Sequence, residues 1–199
     1  MNFRNMDALF QGRLVSLFIV SLFLVACGKT DISDIEHVNR AKQYESTGDL
    51  KASFIELKNA LQQNSNNSEA RLMLGKFYLG IGNGAASEKE FGHAQKLGVD
   101  SAYIQKLMIR ALLLQLRYDE VLSSINKLDN KNDPELLVLK GEALSGLEKS
   151  DESENTFLKA VDLDSKLLDA YIGLSKLALS HGNFSKANTY SQQAIAINS

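Results

Sequence analysis

Residues 69–98 read EARLMLGKFYLGIGNGAASEKEFGHAQKLG, and this stretch decides the fold because the chain repeats its pattern. Two later stretches align with it without gaps: residues 135–164, ELLVLKGEALSGLEKSDESENTFLKAVDLD, and residues 169–198, DAYIGLSKLALSHGNFSKANTYSQQAIAIN. The step from Ala60 to Ala94 is 34 residues, and a second pair of alanines recurs with the same spacing. A period of this length is typical of repeat proteins, in which each unit packs only against its neighbours.

Each repeat is predicted to form two antiparallel helices of about a dozen residues, joined by a tight turn. Gly48, Gly82 and Gly182 lie where the first helix must stop, a place that favours a residue tolerant of positive φ. Asp49 and Asn183 follow as candidate N-caps of the second helix.

Small residues on the first helix are predicted to let the second helix of the same repeat approach closely. Gly75, Gly141 and Ser175 hold equivalent places in three repeats. Aromatic residues are predicted to fill the space between the helices: Tyr44, Tyr78, Phe91 and Phe157. Because no repeat can bury its apolar stripe alone, stacking of the repeats must supply the core.

The pattern resembles the tetratricopeptide repeat, whose signature is W-x2-L-G-x2-Y followed by A-x3-F and P. The second repeat carries Leu74, Gly75 and Tyr78 at the L-G-x2-Y positions and Phe91 at the last position of A-x3-F. Arg71 replaces the tryptophan. The resemblance implies an all-α fold, a right-handed α-solenoid of about five helix-turn-helix repeats.

The predicted repeat array covers residues 34–199 in five units, 34–67, 68–101, 102–133, 134–167 and 168–199. The third unit is the weakest, because Ile109 and Leu128 stand where small residues are expected. The array reaches Ser199 without the polar capping helix that solenoids usually need. The last helix is therefore expected to be exposed, covered by a partner or followed by further repeats, and we favour the third alternative.

The N-terminal residues predict export and a lipid anchor. Residues 1–26 have a positive start and end in the apolar run LVSLFIVSLFLVA, which is too short for a transmembrane helix and typical of a signal peptide. Leu24-Val25-Ala26-Cys27 resembles a bacterial lipobox. That resemblance implies that Cys27, the only cysteine, carries the lipid after cleavage.

The expected location is the cell envelope, with the alternative of an uncleaved N-terminal anchor helix. Gly28 rather than Asp follows the cysteine, which resembles the pattern of Gram-negative lipoproteins sorted to the outer membrane and facing the periplasm. Residues 27–33 are the lipidated cysteine and a short linker. The six linker residues reach roughly 20 Å when extended, so the array is expected to stay near the membrane.

Composition and motifs argue against several classes of function. A formal net charge of −2 offers no basic surface for nucleic acid. No metal-binding spacing, phosphate loop or pair of nucleophile and base is recognisable, so we predict no enzyme activity, cofactor or metal. His37, His93 and His181 are expected to be ordinary surface histidines.

The inner face of the array is the candidate partner site. In tetratricopeptide repeats, positions 2, 5, 9 and 12 face the concave groove, and position 9 forms a mainly cationic row: Lys42, Lys76, Arg110, Glu142 and Lys176. Lys106 lies one turn before Arg110. This predicts a groove for an extended or helical protein or peptide partner with acidic groups. The alternative is a soluble inner face with scattered charges.

The order of lipobox, short linker and repeats resembles the N-terminal part of the PEP-CTERM system tetratricopeptide lipoproteins of the PrsT type. The resemblance implies a lipid-anchored scaffold for surface-protein sorting or for exopolysaccharide production and export. The alternatives are a pilotin-like assembly factor for a pilus or secretin, and the non-catalytic repeat part of a longer envelope enzyme.

Replacing Cys27 with Ser tests the anchor directly. The repeats should fold as before, but acylation should fail because serine lacks the thiol that accepts the lipid, and the precursor should remain uncleaved. Labelling with a radioactive or clickable fatty acid, followed by membrane fractionation, measures both effects. A Cys27→Ser protein that still fractionates as a processed outer-membrane protein would contradict the lipobox interpretation.

Overall fold

The computed structural model describes residues 32–198, which form ten α-helices and no β-strands. The helices are α1 (Asp34–Ser46), α2 (Leu50–Gln63), α3 (Ser68–Gly80), α4 (Gly84–Lys96), α5 (Ser101–Leu114), α6 (Tyr118–Asn126), α7 (Pro134–Gly146), α8 (Ser150–Leu163), α9 (Leu168–Ser180) and α10 (Phe184–Ile197). The predicted signal peptide, the predicted lipobox with Cys27, and the start of the linker lie outside the described residues.

The helices form five consecutive pairs. A short turn joins the two helices of each pair, and the two helices pack against each other. The second helix of each pair also packs against the first helix of the next pair. In addition, α3, α5, α7 and α9 contact one another in succession. The all-α solenoid predicted from the sequence is therefore confirmed, and its first helices share one continuous face.

The turn within each repeat requires a left-handed backbone at one position. Gly48, Gly82 and Gly182 hold it with φ of 79°, 77° and 70°, as predicted. In the third and fourth repeats the same position is Leu116, with φ 58°, and Glu148, with φ 60°. A side chain in this conformation costs about 1 kcal/mol, so these two turns are held by the helix pairs around them.

Polar side chains begin most of the helices. The predicted caps Asp49 and Asn183 are confirmed, because they accept hydrogen bonds from the backbone N–H groups of Ala52 at 3.0 Å and Lys186 at 3.1 Å. Asn67, Asn83, Asp100 and Asp133 cap α3, α4, α5 and α7 in the same way. Each such cap satisfies a backbone donor that the first turn leaves without a partner.

The two helices of a repeat meet where a phenylalanine covers a glycine. A Cβ atom added at Gly75 would lie 2.5 Å from the Phe91 ring, and one added at Gly141 would lie 2.7 Å from the Phe157 ring. Both rings are fully buried. The predicted close approach is therefore confirmed, and it depends on the absence of a side chain on the first helix.

Hydroxyl groups tie the same helices together beside these rings. Ser87 Oγ donates to the backbone carbonyl of Gly75 at 2.8 Å, and Ser153 Oγ donates to that of Gly141 at 2.8 Å. In the fifth repeat the donor is on the first helix, where Ser175 Oγ donates to the Ala187 carbonyl at 3.0 Å. All three hydroxyls are buried, so the hydrogen bonds fix the spacing of each helix pair.

In the second and fourth repeats the glycine and the phenylalanine lie 16 residues apart in the sequence. The other three repeats have different residues at these two positions. The pairs are Ala41 and Leu57 in the first repeat, Ile109 and Ile125 in the third, and Ser175 and Ser191 in the fifth. The two serine hydroxyls lie 2.8 Å apart, within hydrogen-bonding distance. Ile109 is buried with Val121 in an aliphatic cluster, which explains why the third repeat departs from the pattern.

Two buried or nearly buried acid–base pairs occupy the place where the signature has tryptophan. Arg71 Nη1 lies 2.6 Å from Glu90 Oε2, and His37 Nδ1 lies 2.5 Å from Glu56 Oε2 in the preceding repeat. His37 is buried, so the expectation that it is a surface histidine is wrong. Its place on the inward side of α1, against α2, accounts for the burial.

The aromatic prediction is correct for three of its four residues. Phe91 and Phe157 are fully buried, and Tyr78 packs partly buried against the core of the first two repeats. Tyr44 is 39% exposed, so the prediction that it fills the space between helices is wrong. It belongs to the first repeat, where no earlier repeat packs over α1 within the described residues.

Gly75→Ala should lower the free energy of unfolding by about 1–3 kcal/mol, because the added methyl group overlaps the Phe91 ring. Gly92→Ala is the matched control: it lies in α4 with no atom within 4 Å of its added Cβ, and it should raise stability by about 0.5–1 kcal/mol. Urea unfolding followed by circular dichroism measures both. Equal effects of the two substitutions would refute this account of helix pairing.

Candidate functional site

A cleft runs along the face formed by the first helices of the second to fifth repeats. It consists of two adjoining cavities of about 390 and 260 Å³, which share Leu113, Leu114 and Glu142 as lining residues. We call it the central cleft. The other lining residues come from α3 and α5–α9: Leu79, Arg110, Tyr118, Val138, Leu139, Ser145, Gly146, Phe157, Asp169, Gly173 and Lys176.

Glycines shape the wall of the central cleft. A Cβ atom added at Gly173 would lie 2.5 Å from the Phe157 ring, and one added at Gly146 would overlap the Tyr118 ring. Side chains at these places would therefore push the aromatic rings that line the cleft. Neither contact follows from the repeat pattern, because both join residues of different repeats.

Two of the predicted groove cations contribute charge to the central cleft, together with Glu142 of the same row. Arg110 and Lys176 line it, and Glu142 lies between their helices on α7. Burial raises the pKa of the Glu142 carboxyl above its usual 4.5, and Asp169 raises it further, while the positive charges of Lys176 and Arg110 act in the opposite direction. Although Glu142 as a whole is exposed, its carboxyl is surrounded by the cleft walls.

Two further predicted residues, Lys42 and Lys76, interact with position 2 of the following repeat. Lys42 Nζ lies 2.6 Å from Glu69 Oε1, and Lys76 Nζ lies 5.2 Å from the centre of the Tyr103 ring. Both lysines remain exposed. Their charges thus link neighbouring first helices while staying accessible from solvent.

Lys106 is held by the next repeat. Its Nζ donates to Asp133 Oδ2 at 2.7 Å and lies 3.4 Å from Glu135 Oε2. The hydrogen bond to Asp133 raises the pKa of Lys106, against the effect of partial burial. Two acidic partners already neutralise this lysine, so Arg110 and Lys176 are better placed than Lys106 to meet an acidic ligand.

The central cleft combines leucine and valine side chains with both signs of charge. Such a surface suits a peptide that presents apolar residues together with charged ones.

Within residues 32–198 no group of three or more His, Asp or Glu side chains is arranged to hold a metal ion. None of the helices in this part of the chain is both long and apolar enough to cross a bilayer.

Asp133→Asn tests how α5 and α7 are joined. Partial burial raises the pKa of the Asp133 carboxyl, but the hydrogen bonds from Lys106 and from the Leu136 N–H outweigh it, so the pKa falls below 3.8. A carboxyl with a lowered folded-state pKa stabilises above its unfolded pKa and loses that effect as pH falls through the folded value. Asparagine keeps the helix cap but removes the ion pair.

Asp133→Asn should therefore cost about 1 kcal/mol at pH 7, and its difference from the native protein should shrink below about pH 4. Urea unfolding at a series of pH values measures this, with Asp162→Asn, an exposed position on α8, as the control. A difference that persists undiminished at pH 2 would show that the ion pair is not the cause.

The repeats are recognisable by comparison with known proteins. The tetratricopeptide repeat family matches residues 47–111 and, separately, residues 134–167. No curated protein is detectably similar in sequence. Among solved structures, a tetratricopeptide repeat protein from Parabacteroides merdae ATCC 43184 has a TM-score of 0.71 and 18% identity, covering 95% of this chain and 74% of that one.

Two further structures with this fold come from proteins with a stated role. PilW, a widely conserved type IV pilus biogenesis factor, has a TM-score of 0.65 and 16% identity, covering 82% of this chain and 77% of its own. YrrB, a tetratricopeptide repeat protein with an unusual peptide-binding site, has a TM-score of 0.57 and 20% identity, covering 88% of this chain and 91% of its own.

At these identities the likeness shows the fold alone. Tetratricopeptide repeats are generally non-catalytic scaffolds that bind protein or peptide partners. Tetratricopeptide repeats thus occupy residues 47–111 and 134–167, and the described part of the chain folds as an all-α solenoid.

Proposed function

We propose that this protein is a lipid-anchored scaffold, facing the periplasm from the outer membrane, that holds a protein or peptide partner in the central cleft. The observation that carries the proposal is the cleft itself, a chain of cavities along the first helices with Arg110, Glu142 and Lys176 on its walls. Its partners would be components of envelope assembly that act in surface-protein sorting or in exopolysaccharide production and export.

The charges of the cleft define the partner's chemistry. Arg110 and Lys176 can pair with acidic side chains of a bound peptide, while Glu142 between them can accept a hydrogen bond from a basic or amide group. Leu79, Leu113 and Leu114 supply the apolar surface that such a peptide would cover. Burial of that surface provides affinity, and the charges select the register.

The anchor is proposed from the lipobox resemblance at Cys27, and the short linker after it supports a position close to the membrane. Several acyl chains, at roughly 0.8 kcal/mol for each buried CH₂, would hold the protein stably. A scaffold without its own catalytic group needs such an anchor, because it acts by holding a partner at a particular membrane surface.

A pilus or secretin assembly factor is the second candidate. The observation that favours it is the likeness in fold to PilW, a type IV pilus biogenesis factor. The two candidates differ in the partner they predict, a pilus or secretin component in one case and a sorting or polysaccharide component in the other. Identification of the partner therefore separates them.

The proposed cleft can be tested by photo-crosslinking in intact envelopes. A photoreactive amino acid at Leu113 should yield a discrete crosslinked partner, identified by mass spectrometry. Arg110→Glu together with Lys176→Glu should reduce its yield at least tenfold, because two attractive charges become repulsive. The control is Lys58→Glu with Lys89→Glu, which makes the same change of net charge at exposed positions on second helices.

Equal crosslink yields in the two double variants would overturn the cleft as the binding site. Loss of the crosslink in both would also overturn it, since net charge alone would then explain the effect. Circular dichroism of each variant establishes that the helices are retained.

A further inference from the structure

A second, smaller crevice lies between the first two repeats, away from the central cleft. It has a volume of about 180 Å³ and is formed by α1, α2 and α3 together with the turns that follow. Leu57, Met73 and Phe77 form its apolar interior, and Ser53 lies beside them. We call this space the aromatic crevice.

The crevice coincides with a change in the pair of residues that joins the two helices of a repeat. In the second and fourth repeats the second helix contributes a phenylalanine at this place, Phe91 or Phe157, each covering a glycine. In the first repeat the equivalent residues are Leu57 and Ala41. Leucine is shorter than phenylalanine, and Leu57 forms part of the crevice wall.

The size and lining of the crevice suit one aromatic ring. Cavities of about 150 Å³ lined by aliphatic and aromatic residues stay dry and bind benzene. Phe77, on the crevice wall, already belongs to a group of rings: its centre lies 4.8 Å from that of Phe54 and 5.9 Å from that of Tyr78. An added ring would extend this group by edge or offset contacts.

The rim of the crevice is apolar and exposed. Leu50 is 52% exposed and Ile81 is 58% exposed, and both line the opening. They lie at the start of α2 and the end of α3, so they flank the entrance from two helices. A side chain entering from solvent would cover this apolar surface as well as the interior.

Two opposite charges complete the rim. The Glu45 carboxylate lies on the α1 side, and within residues 32–198 no ion pair engages it. Lys76 lies on the α3 side, where its ammonium group contacts the Tyr103 ring and stays exposed. An occupant with a basic group on one side of its ring and an acidic group on the other would match both.

We propose that the aromatic crevice binds one phenylalanine side chain of a partner peptide, with a basic residue beside it paired to Glu45 and an acidic residue paired to Lys76. This inference rests on the proposed scaffold function but concerns a separate subsite. Its test uses direct binding in solution, so it does not depend on the anchor or on the residues of the central cleft.

The probe is the capped peptide acetyl-Arg-(4-fluorophenylalanine)-Asp-amide, titrated with residues 32–199 and followed by fluorine NMR. We expect saturable binding in the millimolar range, and at least tenfold weaker binding in the double variant Ala41→Gly with Leu57→Phe. That variant reproduces the glycine–phenylalanine pair of the second and fourth repeats, so the larger side chain on the crevice wall should narrow the crevice while the helix pair is kept.

The matched control is Ser175→Gly with Ser191→Phe, which makes the equivalent change in the fifth repeat and should bind the peptide as the native protein does. Ile81→Ser, at an exposed rim position, should weaken binding even if the first double variant folds poorly. Lys76→Glu should weaken binding of this peptide and improve binding of an Arg-Phe-Arg version.

Absence of binding to the native protein, or equally effective competition by a peptide with alanine in place of the fluorinated residue, would overturn the proposal. So would unchanged affinity in the Ile81→Ser protein. None of these results bears on the central cleft, because Arg110 and Lys176 are unchanged in every variant.

Discussion

The structure depends on one contact, the meeting of two residues 16 apart on the two helices of each repeat. Where the first is glycine, the second is a phenylalanine whose ring lies against the backbone, as with Gly75 and Phe91. Truncation of such a buried ring costs about 3–5 kcal/mol, a large share of the stability of a small domain. The other repeats replace the pair with alanine and leucine, two isoleucines or two serines. Each of these pairs is complementary in size or in hydrogen bonding, so the two helices of a repeat can pack against each other with different residues.

Ion pairs join neighbouring repeats, because lysines of one repeat contact acidic residues at the start of the next repeat. Lys106 joins Asp133, which in turn caps α7, and Lys42 joins Glu69. These exposed or half-exposed ion pairs each contribute little to stability. Their larger effect is on the inner face, where they neutralise some lysines and leave the charge of the central cleft to Arg110, Glu142, Asp169 and Lys176. The distribution of charge on the cleft is thus a product of stacking.

The same packing rule produces the open spaces that a partner would use. The aromatic crevice has Leu57 on its wall where two other repeats have phenylalanine, and the central cleft is lined by Gly146 and Gly173, against which the Tyr118 and Phe157 rings lie directly. Both proposed binding surfaces thus lie at local departures from the repeat pattern.

The amino-acid sequence by itself determined the helix pairs, their turns and the small residues at their crossings, because these depend on local backbone preference and a 34-residue period. It also placed Arg110, Glu142 and Lys176 on one row. Tertiary structure alone decided which of those charges stay available, that His37 is buried against Glu56, and that Tyr44 is exposed. It likewise revealed the crevice beside Leu57. These properties depend on how side chains of neighbouring helices pack against one another. The repeat pattern of the amino-acid sequence does not contain that information.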